Sequence, residues 1–328
     1  MTSKMDTSSE KVMDLRTAVA RFVPDGAHIS IGGFTCNRNP MAAVYEIIRR
    51  KTTGLHLYAH SNGQGVDELV GAGCVARIEI AYAGTGRFAP TCIRFRKAVE
   101  TRAIAVEDYS NYQMTLRFLA GAMGVPFLPT RSALGTDIIR RWGFSEELRR
   151  SDPRLPDEKL VVMQNPFGAW AETERVVLVP AIRPDVTLLH VQKAGRDGTA
   201  RIEGLTFADV EQAKAANHVI VTCEELMDAG ELRAQPHLNQ IPGIIVDAVV
   251  HAPHGAYPTA CYRYYDYDPA FLNDYRTAAV DDERYARYLQ EWIYDPPDHR
   301  AQRDRIPGGR LAAIQADPRT GYAKGLRR

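Results

Sequence analysis

Short apolar runs of strand length recur along this chain, each followed by an amphipathic run of helical period, and this alternation is what most constrains its fold. Residues 27–33 (AHISIGG) read as a buried strand. Pro40 then opens a helix whose inner face carries Ala43, Val44, Ile47 and Ile48. Ahead of them, residues 11–22 place Val12, Leu15, Val19 and Phe22 at helical spacing. The pattern continues with a strand at 55–60, a short helix at 66–72, a strand at 77–81, a helix at 91–101, a strand at 103–107 and a helix at 112–123. Further strands are predicted at 175–180, 186–191, 218–222 and 244–251, with a helix at 207–217. The fold class expected is α/β, a mostly parallel sheet with helices on both faces. Ligands of such sheets bind in loops at the carboxyl ends of the strands.

Two stretches break the alternation. Residues 135–165 include RRWGFSEELRRSDPRLPDEK and read as a helical excursion outside the sheet. Beyond about Pro253, tyrosines crowd YRYYDYDPAFLNDYR, where they are expected to be core or interface residues, and Pro296-Pro297 breaks the chain. The expected division is one α/β domain over 1–295 and a basic, extended C-terminal tail over 296–328. Residues 300–328 hold eight Lys/Arg against two Asp/Glu, a net +6. A loosely packed tail or subunit-docking arm is the simpler reading, and an anionic partner the other.

Composition excludes several classes. Of 328 residues, 45% are hydrophobic and 25% charged, as in ordinary globular proteins. Lys+Arg 41 against Asp+Glu 40 suggests neither a nucleic-acid partner nor disorder. The five cysteines are odd in number and form no C-x-x-C, so no disulfide framework or cysteine zinc site is expected. His251, His254 and Cys261 fit no common zinc spacing, and no metal is expected. The amino-terminal MTSKMDTSSEK has no apolar stretch of a secretory leader, and no window reaches the roughly 18 apolar residues of a membrane span. A cytoplasmic location without a membrane partner is the expectation. Residues 63–65 and 71–73 do not complete G-x-G-x-x-G, and no Walker or G-x-S-x-G sequence occurs.

The most informative segment is 25–40, DGAHISIGGFTCNRNP. Physically it is a turn, a buried strand, two glycines at the strand end, and a loop into a proline-started helix. Glycines there allow close backbone approach with amide donors exposed, and the helix start favours negative charge. This spacing resembles the alpha-subunit signature of family I coenzyme A transferases: Asp-Gly, two residues, three apolar residues, Gly-Gly-Phe, three residues, glycine, one residue, proline. Ser30 stands for an apolar residue and Arg38 for the glycine, the latter as in the glutaconate-type branch. Segments 107–110, 124–129, 221–225, 241–243, 246–250, 252–258 and 265–268 also resemble that branch in order and spacing, from about Lys11 to Trp292.

The resemblance implies a CoA-transferase that moves CoA between an acyl-CoA and a (di)carboxylic acid, with coenzyme A as substrate and no tightly bound cofactor. In the family a glutamate forms a mixed anhydride and then a glutamyl-CoA thioester. That nucleophile lies in a Ser-Glu-Asn-Gly motif of the beta-type half. The counterpart here, His60-Ser61-Asn62-Gly63, lacks the glutamate. The resemblance therefore implies an alpha-type chain whose catalytic glutamate comes from a partner beta chain, in an (αβ)2 or larger assembly. Expected substrate-binding residues are Gly32, Gly33, Phe34, Arg38, Ser61, Asn62, Gly63 and Asp108. Arg38 is a candidate to hold the distal carboxylate of a diacid bidentately, or else a surface or interface arginine. Relatives also include ring-opening CoA-ester (C–C) hydrolases of steroid degradation, which use an alpha-chain carboxylate. For that alternative Glu107 is the candidate base, unless the 107–108 pair is structural, with Asp108 or Ser110 capping the next helix. A third class, a ligand-sensing regulator, would need a helix-turn-helix ahead of the fold, and none precedes it.

Overall fold

The computed structural model describes residues 11–141, 143–168 and 174–326. The polar stretch 1–10, Trp142 of the excursion and the last two arginines of the tail lie outside the described residues. In chain order the elements are α1 (Leu15–Phe22), β1 (His28–Ile31), α2 (Met41–Arg49), β2 (Leu55–Asn62), α3 (Gln64–Gly71), β3 (Val75–Ala83), α4 (Ile93–Glu100), β4 (Ala105–Asp108) and α5 (Asn111–Met123). Next come β5 (Phe127–Thr130), α6 (Glu146–Ser151), β6 (Val161–Gln164) and β7 (Arg175–Pro180). The chain continues with β8 (Val186–Gly195), β9 (Ala200–Arg201), α7 (Asp209–Ala215), β10 (His218–Met227), α8 (Ala229–Ala234) and β11 (Ala248–His251). It closes on α9 (Pro269–Ala279), α10 (Asp282–Tyr288), α11 (His299–Arg303) and α12 (Gly308–Ile314).

The main sheet runs β11-β10-β8-β1-β2-β3-β4 with parallel neighbours, and β9 pairs antiparallel to β8. The first strand is thus central. Side chains alternate between two packed layers. Ile29, Leu57, Leu188 and Ile220 meet α1, α2 and α3 through Val19, Ile47 and Leu69. On the other face Leu189, Val191 and Val221 pack on Ala213 of α7, and Tyr58 on Met114 and Phe118 of α5. Apolar burial on both faces is what a parallel sheet requires.

Local chemistry sets the ends. Asp14 accepts the Thr17 amide (2.9 Å), so α1 begins at Leu15, and Val12 instead bridges Val249 beside the last strand. Ser110 and Gln113 form a reciprocal capping box on α5, and Gly124 ends that helix at φ +71.

Three expectations are corrected. Residues 175–180 do not join the main sheet; β7 is the centre of a separate antiparallel sheet, β5-β7-β6. Only Val177 and Val179 of β7 are fully buried, the one-sided pattern of an antiparallel strand. The excursion holds the short helix α6 and ends in β6, so it is not helical throughout. The tail packs rather than trails: Ile306 and Ile314 enter the aromatic cluster of Tyr257, Phe271 and Tyr275. Of the carboxyl-terminal tyrosines, Tyr257, Tyr265, Tyr267, Tyr275 and Tyr285 are core residues, and Tyr275 and Tyr288 donate to the buried Asp67 and Glu68 of α3 (both 2.9 Å).

Charged groups tie this side region to the sheet. His28 accepts from Tyr58 at Nδ1 (2.9 Å) and meets Asp152 at Nε2 (3.0 Å), while Arg77 donates to the same carboxylate (2.8 Å). Arg117 pairs with Glu79, whose other oxygen takes His56 Nε2 (2.8 Å), and donates to the Pro180 carbonyl (3.1 Å). Burial, with the stacked His56 ring, holds the His28 pKa down to about 4. The unfolded chain titrates near 6.5 and so binds the extra proton between these values. The contribution of His28 is therefore intact above pH 6.5 and is lost as pH falls toward 4. His28→Gln should reduce the fall of the urea midpoint between pH 6.5 and 4 relative to wild type. An unchanged fall would exclude this ring as its source.

Candidate active site

Gly32 and Gly33 end β1 under tight packing. A Cβ on Gly32 would run into Leu189 and lie 2.9 Å from Asp209 Oδ1. Gly33 sits at φ +84, and its Cβ would lie 2.6 Å from the carbonyl oxygens of Asn37 and Arg38. The expected exposed amides are corrected. Gly32 donates to Leu188 O (3.0 Å), Gly33 to Asp209 Oδ1 (2.9 Å), Phe34 to Asn37 O (2.8 Å) and Thr35 to Ser61 O (2.9 Å). These glycines serve close packing, and their amides are spent within the chain.

The loop after β2 lies against this turn. Gly63 donates to Thr35 O (3.1 Å), and Asn62 donates to Gly32 O (3.0 Å) while accepting from Val66 N (3.2 Å) at the start of α3. Ser61 bonds the Asn111 side chain of α5. The structure therefore brings Gly32, Gly33, Phe34, Arg38, Ser61, Asn62 and Gly63 together at the carboxyl ends of β1 and β2. Ser61 and Asn62 are themselves fully buried.

Arg38 departs from expectation. It is 3% exposed, and its guanidinium turns inward to Asp209 Oδ2 (2.5 Å), His190 O (3.0 Å) and Leu205 O (2.9 Å). The reading of Arg38 as a clamp for a bound acid, or as a surface or interface arginine, is corrected: its partner is a buried carboxylate of its own chain.

Glu107 and Asp108 stand apart from the glycine turn. Glu107 is fully buried, with Tyr109 OH at 2.6 Å on one oxygen and Phe144 N (2.9 Å) and Arg149 on the other. Asp108 takes Lys159 Nζ (2.7 Å). Both bind the excursion, and in this arrangement Glu107 is a structural anchor with both oxygens engaged. The cap on α5 comes from Ser110, one of the two residues considered for it.

A half-buried aromatic pair lies at the accessible edge of the site. Phe34 lies flat on Phe207 (4.8 Å, 12°), with the His60 ring 5.7 Å from Phe34 and Leu205 74% exposed beyond. His60 Nε2 is held by Asn111 O (3.1 Å) and Thr115 Oγ1 (3.0 Å), and burial lowers its pKa, so the ring is neutral near pH 7. Sequence reasoning missed Asp209, Phe207 and Asn111. A signal existed for Asp209, an acid at the start of a helix that follows a strand, but its partners lie more than 170 residues away.

Cys261 lies near neither His251 nor His254 in a ligand set; it falls beside His190 and Glu224, with donor atoms within 4.8 Å of one another. Its His190 and Glu224 have partners within the chain. His190 meets Thr222 (2.9 Å) and Glu224 (2.8 Å), and Glu224 also accepts from Tyr265 OH (2.6 Å) and His254 N (2.8 Å).

A family model described as coenzyme A transferase matches residues 12–252. The chain belongs to the coenzyme A transferase family. It is 40% identical over 95% of its length to the A-type subunit of glutaconate CoA-transferase from Acidaminococcus fermentans, covering 97% of that protein. The crystal structure of that transferase superposes with a TM-score of 0.91, over 95% of this chain and 98% of the other. Similarity extends to the A-type subunit of 3-oxoadipate CoA-transferase from Pseudomonas knackmussii (32%, 92% of this chain, 99% of that one). The cholesterol ring-cleaving hydrolase IpdA subunit of Rhodococcus jostii is 28% identical, over 90% and 95%.

Two variants check the local roles. Gly32→Ala should lower stability by roughly 1–3 kcal/mol in urea unfolding, from overpacking against Leu189. Glu107→Gln should cost about 3–5 kcal/mol, because Arg149 keeps a buried charge without its partner. It should also open 143–165 to limited proteolysis; wild-type resistance there would refute the anchor role.

Proposed function

We propose that this chain is the alpha-type half of a heteromeric CoA-transferase that moves CoA between an acyl-CoA and a (di)carboxylic acid. The observation that carries the reading is the near full-length match, in sequence and in fold, to the corresponding half of glutaconate CoA-transferase. The partner beta chain supplies the glutamate, which attacks the thioester to form an anhydride and then a glutamyl-CoA thioester. This chain shapes half of the cleft. Its glycine turn and the 61–63 loop form the floor, and Phe34 and Phe207 form an apolar wall that excludes water. Asp108, Glu107 and Asp209 are all paired internally, which supports an attacking group from outside the chain. Phe34 is the proposed contact with substrate, and the buried Gly32, Gly33, Ser61, Asn62 and Gly63 are the proposed support beneath it. Asp108 contributes at its margin.

The assembly is an (αβ)2 or larger complex in the cytoplasm. No helix among the described residues is long and apolar enough to cross a membrane. Residues 296–328 form an extension of the 1–295 domain. Coenzyme A enters as substrate, with no tightly bound cofactor. The hydrolase alternative is weakened by the double engagement of Glu107.

Co-expression with candidate beta chains and assay of CoA exchange between acetyl-CoA and a panel of mono- and dicarboxylic acids tests the reading. The complex should transfer CoA and the isolated chain should not. Borohydride inactivation should occur only with acyl-CoA present and should map to the partner. Full-rate transfer by the isolated chain would overturn the proposal.

A further inference from the structure

Arg38 and Asp209 join regions that the chain order keeps far apart. Asp209 is fully buried and holds the Gly33 amide with one oxygen and Arg38 with the other. Arg38 in turn donates to carbonyls of His190 in β8 and Leu205 in the 202–208 loop. The turn after β1 and the loop before α7 are therefore locked by one ion pair. Strain collects at the same place: Thr35 (φ 49), Arg38 (φ 50) and Phe207 (φ 50) all adopt the left-handed region without being glycine. Such residues persist only where their surroundings over-determine them. Stability alone does not account for the pair, since a buried salt bridge often does no better than apolar side chains of similar volume. What the pair sets is geometry. It fixes Phe34, next to Gly33, against Phe207, two residues before Asp209, and their half-buried rings stack at 4.8 Å as an apolar wall of the site.

We propose that the Arg38–Asp209 pair is a latch that holds the Phe34–Phe207 wall closed against water during CoA transfer, both residues acting as positioning residues. The inference rests on the transferase reading above. In productive turnover the acceptor carboxylate attacks the carbonyl carbon of the partner's glutamyl-CoA thioester, giving the anhydride and CoA thiolate. If water attacks the same carbon, the C–S bond breaks and glutamate carboxylate, CoA thiol and one proton are released. The cycle is then lost as thioester hydrolysis. A wall that stays shut suppresses the second course without touching the reacting atoms.

The readout is the ratio of hydrolysis to transfer, which does not depend on how much of the enzyme is folded. In the co-expressed complex, acetyl-CoA and an acid accepted by the wild type are supplied. Free thiol release is compared with formation of the new acyl-CoA. Asp209→Asn keeps an oxygen for the Gly33 amide but drops the charge. Arg38→Met with Asp209→Asn removes both charges and leaves none buried alone. Both should raise the ratio roughly 10-fold, and the double variant should exceed the single by little, because the two residues act as a unit. Phe207→Ala, which spares the latch and alters the wall itself, should raise the ratio likewise and covers the case in which the single charge variant does not fold. A wild-type ratio in the double variant or in Phe207→Ala would overturn the latch while leaving the transferase reading intact. Absence of any transfer by the wild-type complex would overturn that reading and the latch with it.

Discussion

β1 is four residues long, buried on both faces and paired on both edges, yet it carries His28 and Ser30. A polar group there cannot reach water, so each needs a partner inside the protein. Gln212 of α7 reaches Ser30 (2.8 Å), and Asp152 of the excursion reaches His28 (3.0 Å). The central strand thus draws in segments from distant parts of the sequence. Because β1 lies in the middle of the sheet, the strands after it build one wing and those after β7 the other. The glycine turn sits at the seam.

The same logic governs the carboxylates. Glu79, Glu107 and Asp209 are each almost fully buried, and each faces an arginine. Every such pair joins a strand, or the turn after one, to something remote: α5, the excursion or the start of α7. A chain that spends its interior acids in this way has little nucleophilic oxygen left at the strand ends. Half-exposed rings and a neutral imidazole line that surface instead. On the transferase reading proposed above, such a surface would confine the reaction rather than supply its attacking group.

Much of this was legible in the sequence, because it depended on local period. The strands and helices of the main sheet fall near their expected positions, and the glycine turn lies at the strand end where its spacing placed it. What stayed hidden was set by contacts between distant residues. The alternating run at 175–180 suits either kind of strand, and only its antiparallel neighbours assign it to the side sheet. Arg38 is plainly a loop arginine, but nothing near it in sequence shows that Asp209 will bury it. The amides of Gly32 and Gly33 look available in a one-dimensional reading, because their acceptors come from β8 and α7.

One small contact has a wider bearing. Lys11 and Met13 exchange backbone hydrogen bonds with Val249 (2.9 and 3.0 Å), so a strap ahead of α1 lies along β11 at the end of the sheet. A bare terminal strand offers unpaired amides and carbonyls to any other chain. The strap covers this border of the sheet. Shortened from the amino end past Met13, the protein would leave the backbone groups of Val249 on that border without these partners.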